Sequence, residues 1–218
     1  MADGREGRSS GNESMTDPIP SALPPHFPRA ISKEEMAALP VRRYEGEVLV
    51  VETARDLDRA WEDLAQERMI GWDTETRPAF RVGESYLPCL VQAATARRVY
   101  LFQLRRMDFS GVLGGLFAAP EIVKVGISVK DDLHKLKQVI PFEEAAVLDA
   151  GKVAHRHGLK QTGLRNLAGI FLGFRVPKGA KTTNWAVPRL SAQQITYAAT
   201  DAWACRELYL RFDELGML

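Results

Sequence analysis

A mixed sheet packed with helices, of the α/β or α+β kind, is what the order of elements in this chain predicts. Short apolar runs rich in β-branched residues occupy the chain up to residue 126. Apolar positions at helical spacing dominate the remaining residues. Helix starts are written as Ser-x-x-Glu, Thr-x-x-Asp and Ser-x-x-Gln, patterns in which side chain and backbone satisfy each other's donors.

Residues 1–41 are expected to be a low-order tail. Residues 1–30 are rich in Gly, Ser, Pro and mixed charge, and Pro18, Pro20, Pro24, Pro25 and Pro28 forbid a regular helix. A short helical turn is expected at Ser32–Glu35. Residues 42–218 then form one folded domain. Its first strand is 46–51. Thr53 and Asp56 open a helix whose apolar face is Leu57, Ala60, Trp61 and Leu64. Further strands are expected at 69–73, 90–94, 99–102 and 122–126, the third and fourth joined through Arg97 and Arg98. Helices are expected at about 129–138, 150–156, 162–172 and 191–214, the last opened by Ser191 and Gln194.

Composition excludes several classes. The 218 residues are 45% hydrophobic, enough for a core and too many for wholesale disorder. With 29 Lys+Arg against 28 Asp+Glu, no global charge excess advertises a polyanionic partner. Cys89 and Cys205 are too few for a disulfide framework or a cysteine-rich zinc site, and a reducing, cytoplasmic setting is expected. No apolar run approaches the roughly 18 residues of a membrane span, and the opening residues lack a signal-peptide core.

Three segments carry chemistry. In Ile70-Gly71-Trp72-Asp73-Thr74-Glu75-Thr76, an apolar strand ends in Asp-x-Glu. Alternation puts Asp73 and Glu75 on one face. Two adjacent carboxylates repel, and a divalent cation relieves the cost; hard oxygen donors suit Mg²⁺ or Mn²⁺. In Val125-Gly126-Ile127-Ser128-Val129-Lys130-Asp131-Asp132, a strand leads into a helix with two aspartates in its first turn. In the last helix, Tyr197 and Asp201 are one turn apart, with Ala198, Ala199 and Ala202 small enough to let it lie close to a sheet. Taken singly, each has an ordinary explanation: solvated charge, a helix-dipole partner for an aspartate, or a tyrosine bonded to an aspartate.

Together, in this order, they resemble the DEDD superfamily of 3′–5′ exonucleases in its tyrosine-bearing branch (DEDDy), that of the ribonuclease D and Werner-type exonuclease domains. Leu87-Pro88-Cys89-Leu90-Val91-Gln92 is similar to the family's Pro-x-Leu-(Ile/Val)-Gln strand. Asn184-Trp185 and Arg189-Leu190-Ser191 through Ala202 are similar to its third block. The resemblance covers about residues 45–215. It implies a ribonuclease-H-like α/β fold with a mixed five-stranded sheet flanked by helices. It implies metal-dependent hydrolysis of phosphodiester bonds from the 3′ end of single-stranded or 3′-overhang DNA or RNA, releasing nucleoside 5′-monophosphates. Asp73, Glu75, Asp132 and Asp201 become ligands of two ions, Mg²⁺ or Mn²⁺, and Tyr197 orients the attacking water. Asp132 is preferred to Asp131 by its spacing from Gly126.

Local charge agrees with a polyanionic substrate. Residues 121–190 hold 12 Lys+Arg against six Asp+Glu. Lys178, Lys181, Trp185 and Arg189, in a loop before the last helix, are candidates to hold phosphates and stack a base. The alternative is a catalytically silent nucleic-acid-binding module of the same fold, which should have lost at least one carboxylate. A protein-interaction module is a third reading.

Overall fold

Alternation along the strands decides which helices lie on which face of the sheet. The computed structural model describes residues 23–81, 83–177, 179 and 182–218. Its strands are β1 (Glu47–Val50), β2 (Met69–Thr76), β3 (Pro88–Ala94), β4 (Arg98–Gln103), β5 (Val123–Gly126) and β6 (Val147–Asp149). They form one sheet in the order β1-β4-β3-β2-β5-β6. β2–β3 and β3–β4 are antiparallel; β1–β4, β2–β5 and β5–β6 are parallel. The helices are α1 (Lys33–Ala38), α2 (Ala54–Leu64), α3 (Ser110–Ala118), α4 (Val129–Leu136), α5 (Ala150–Arg156), α6 (Leu164–Leu167) and α7 (Ala192–Glu214). α6 runs on into a π-helical segment, Ala168–Leu172.

Ile70, Trp72, Val91, Ala93, Tyr100 and Phe102 point to one face and pack with α2, α3 and α4. The intervening Leu90, Ala94, Val99 and Leu101 point to the other face and meet α7. α5, α6 and the far half of α7 cover β5 on that side. Both faces are therefore covered, and β3 is buried at every position. Among the described residues no helix is long and apolar enough to cross a membrane.

All five expected strands are present. The sixth, β6, is only three residues long, too short for a periodic signal. Its last residue, Asp149, also caps α5, accepting from the backbone amides of Gly151 and Lys152 at 2.9 and 3.2 Å. Helix α3 was not expected. Three of its nine residues are glycine, each costing about 1 kcal/mol against alanine in a helix interior. Burial of Leu113, Leu116 and Phe117 overrides that local penalty.

The low-order segment expected over residues 1–41 divides. Residues 1–22 lie outside the described residues. Residues 23–41 pack onto the domain, a correction to that expectation. Leu23 is buried with Met217, Val153 and Phe212. The Arg29 guanidinium donates to the His157 carbonyl. The Gln161 amide accepts from Ile31 N–H at 2.8 Å and donates to Ile31 C=O at 3.2 Å. Pro24, Pro25 and Pro28 prevent a helix before α1, but they do not prevent side-chain docking.

The backbone of α7 packs closely on that of β2. A Cβ built at Gly71 would lie 2.0 Å from the Ala202 carbonyl oxygen and 2.6 Å from the Arg206 nitrogen. Both are backbone atoms and cannot swing aside. Ala198, Ala199 and Ala202 are fully buried along the same contact. Gly71→Ala is therefore expected to lower unfolding free energy by about 1–3 kcal/mol, read by urea denaturation; an unchanged midpoint would mean that the helix is free to move away.

Lys124 is fully buried on β5 and donates to the Ala119 carbonyl at the end of α3, at 2.6 Å. Burial lowers its ammonium from 10.5 to about 8. Between those pH values the unfolded chain keeps a proton that the folded chain has lost. Stability from this group therefore rises with pH from about 8 to 10.5. In paired urea titrations at about pH 7.5 and about pH 10, Lys124→Met should lack the wild type's relative gain at the higher pH. Equal pH dependence in both proteins would refute the shift.

Candidate active site

Asp73 and Glu75 stand at alternate positions near the end of β2, on the side that α7 covers. Glu75 is buried and Asp73 half-buried. The β2–β3 register shifts between Glu75 and Thr76, so regular pairing stops where the acids are presented. Asp73 Oδ1 accepts from the Thr74 amide at 2.8 Å.

Asp132 comes from the first turn of α4. That helix begins at Ser128, held in the left-handed region at φ 56°. The Ser128 amide donates to Asp149 Oδ1 at 3.2 Å, tying the start of α4 to the start of α5. Asp132 Oδ1 accepts from the Thr74 hydroxyl at 2.6 Å. Its neighbour Asp131 is exposed and lines a different hollow.

Tyr197 and Asp201 are one turn apart on α7 and hydrogen-bonded to each other. Helix α7 starts with a complete Ser191–Gln194 capping box. The Gln194 amide also donates to Thr183 Oγ1 and to the Asn184 carbonyl, at 3.2 and 3.1 Å, pinning the preceding turn. Gly179 lies against the Tyr197 ring, where a Cβ would sit 3.1 Å from Cδ2.

All five side chains line one cavity of about 500 Å³. Its other walls include Ser128, Arg165, Asn166, Pro177 and Cys205. Burial raises the Tyr197 phenol far above its usual value, and the charges of Asp201, Glu75 and Asp73 raise it further. Three carboxylates thus project negative potential onto one hydroxyl. Burial also raises Asp132, opposed by the Thr74 hydrogen bond and by Lys135. The Cys205 thiol is pushed well above its usual range by burial and then by Asp73, Asp201 and Asp149.

This donor set fits a hard divalent cation. It offers carboxylate oxygens, and the one sulfur in the wall stays a neutral thiol, unsuited to soft-metal ligation. Among the described residues no three acids are drawn together as a preformed ligand cluster. Mutual repulsion of bare carboxylates opposes such a cluster.

The expected substrate residues fare differently. Lys178 and Lys181 lie outside the described residues. Trp185 is 1% exposed, so it is not available to stack a base. It packs in the core beneath α7, its ring centroid 6.0 Å from that of Tyr197, where burial of its large apolar surface outweighs display. Arg189 is exposed and is not part of the cavity wall. Thr74 was missed, though its place between the two acids was a signal. Arg165 and Asn166 were missed because α6 read simply as core. Gln92 is fully buried in register with Asp73.

Comparison with known proteins agrees with this architecture. The solved EXO domain of Nibbler from Aedes aegypti superposes with a TM-score of 0.71 at 21% identity, covering 80% of this chain and 92% of that one. Ribonuclease D of Haemophilus influenzae is 33% identical over 152 residues, 67% of this chain and 37% of its own length. An exonuclease mut-7 homolog of Aedes aegypti is 26% identical over 173 residues, 67% of this chain and 24% of its own length. The chain thus spans about a quarter of one of these relatives and somewhat more than a third of the other. A family model described as 3′-5′ exonuclease matches residues 48–216, which contain all but the first residue of the sheet, α7 and every carboxylate of the cavity. This chain belongs to the 3′–5′ exonuclease family.

Proposed function

We propose that the chain removes nucleotides one at a time from the 3′ end of single-stranded nucleic acid, releasing nucleoside 5′-monophosphates, with Mg²⁺ or Mn²⁺ as cofactor. The family depends on divalent cations and acts on nucleic acid. The observation that carries the reading is the convergence of Asp73, Glu75, Asp132, Tyr197 and Asp201 on one cavity from three distant stretches of sequence.

Asp73, Glu75 and Asp201 would hold one cation, and Asp73 with Asp132 a second. When bound, two ions acidify a water and stabilise the leaving 3′ oxygen. Tyr197 remains a neutral phenol near pH 7, because a phenol ordinarily ionises near pH 10 and burial raises this one further. It therefore orients a water by hydrogen bonding and does not take its proton. The Thr74 hydroxyl holds the Asp132 carboxylate in place. Arg165 and Asn166 also line the cavity and would be available as donors to a bound nucleotide.

The test uses 5′-labelled single-stranded DNA and RNA with Mn²⁺. A ladder shortening one nucleotide at a time, absent for Asp73→Ala, is the expected result. Retained binding without degradation would instead select the silent binding module. Tyr197→Phe should lower turnover by about 10–100-fold, less than the loss of a true general acid or base would cost, and leave the rate's pH dependence between about 6 and 9 unchanged. A lost basic limb in that profile would show that the tyrosine titrates after all.

A further inference from the structure

Outside the carboxylate cavity, two adjoining hollows of about 400 and 320 Å³ share Arg105 and Ala186 in their walls. They form a groove across the ends of β2 and β4. It is lined by Arg77, Tyr86, Arg105, Arg106 and the 186–188 turn, and among the described residues no Asp or Glu lines either hollow. Arg106 is committed to Glu52 at 3.0 Å and to the Pro188 carbonyl at 3.1 Å. Arg77 and Arg105 are exposed, and among the described residues neither has a carboxylate partner. The Arg77 guanidinium lies 4.8 Å from the centroid of the Tyr86 ring. Phe80, in the same loop, is 83% exposed.

The groove and the carboxylate cavity are linked through the end of β2. Cys89 in its wall donates to the Glu75 carbonyl at 3.3 Å, and the Glu75 side chain belongs to the cavity. One strand end separates a hollow walled by four acids from one walled only by cations and neutral groups. A strand with its 3′ nucleotide among the acids needs a place for the phosphates before it, and fixed positive charge beside aromatic rings is the chemistry that holds them.

We propose that the Arg77–Arg105 groove holds the segment of single-stranded nucleic acid just upstream of the nucleotide being removed. The proposal rests on the exonuclease reading and names the residues that grip the substrate. It assigns to the β2–β3 loop and the end of β4 the role expected from sequence of Trp185 and its neighbours.

The test compares the wild-type chain with the double variant Arg77→Ala, Arg105→Ala on two substrates. One is a labelled single strand of about twelve nucleotides, within the site sizes of single-strand binders. The other is the p-nitrophenyl ester of thymidine 5′-monophosphate, too small to reach the groove. On the long strand KM should rise about tenfold or more, as loss of charge-assisted contacts implies. The log–log dependence of kcat/KM on salt should flatten by about 1.4, two single-strand phosphate contacts. Hydrolysis of the small ester should stay at the wild-type rate. Equal losses on both substrates, or no loss on either, would overturn the groove. If the wild type cleaves neither, the catalytic reading fails by itself. Fluorescence anisotropy of the labelled strand then decides the groove: weaker binding by the double variant supports it and equal binding refutes it.

Discussion

The distance between one helix and one strand sets the geometry of everything functional in this molecule. At Gly71 the backbone of α7 rests on the backbone of β2, with no side chain between them. Asp73 and Glu75 follow Gly71 on the same face of the strand, and Asp201 immediately precedes Ala202 on the helix. The carboxylates are thus placed by covalent geometry measured from that contact. A larger residue at any of Ala198, Ala199 or Ala202 would act as a spacer between the two halves of the site. The rest of the fold serves this contact: the capping box starts α7 at a fixed residue, and Gln194 ties down the turn leading into it.

The second organising feature is the division of charge. Four acids share one cavity, and the phenol of Tyr197 reports the field of three of them. Thr74 and Ser128 are the neutral groups that keep the acids in place, the first by a direct hydrogen bond and the second through Asp149. The neighbouring groove has the opposite character. Its arginines stand across a single strand end from Glu75, so the field changes sign over a short distance. A polyanion would meet attraction in the proposed groove and repulsion at the bare carboxylates, a repulsion that a bound divalent cation would relieve.

Much of this was readable in the sequence. The strands announced themselves by alternation and the long helices by period and caps. The acids stood out only in combination, through an order of motifs that resembles the DEDD exonucleases, and small residues in α7 signalled close packing. What escaped notice lacked a local signal. Helix α3 is glycine-rich and held by burial alone. Strand β6 is too short to alternate. Trp185 and its basic neighbours looked like a nucleic-acid surface by composition, but composition does not say which way a tryptophan faces. The groove arginines are distant in sequence and meet only because β2 and β4 end at the same edge of the sheet. The segment at 23–41 resembled a tail because proline content measures helix prohibition, not docking.

Contacts between segments far apart in the chain have a kinetic meaning. Leu23 shares a buried cluster with Met217, and the Tyr44 amide donates to the Thr200 hydroxyl at 3.0 Å. Such pairings close very long loops, and long closures are slow steps in folding. Asp201, on α7, also leaves the ribosome well after Asp73 and Glu75. A nascent chain therefore carries its first two acids on an uncovered sheet, without the helix that completes the cavity. The four-acid cavity is complete only once Asp201 and the rest of α7 have been made and packed on the sheet.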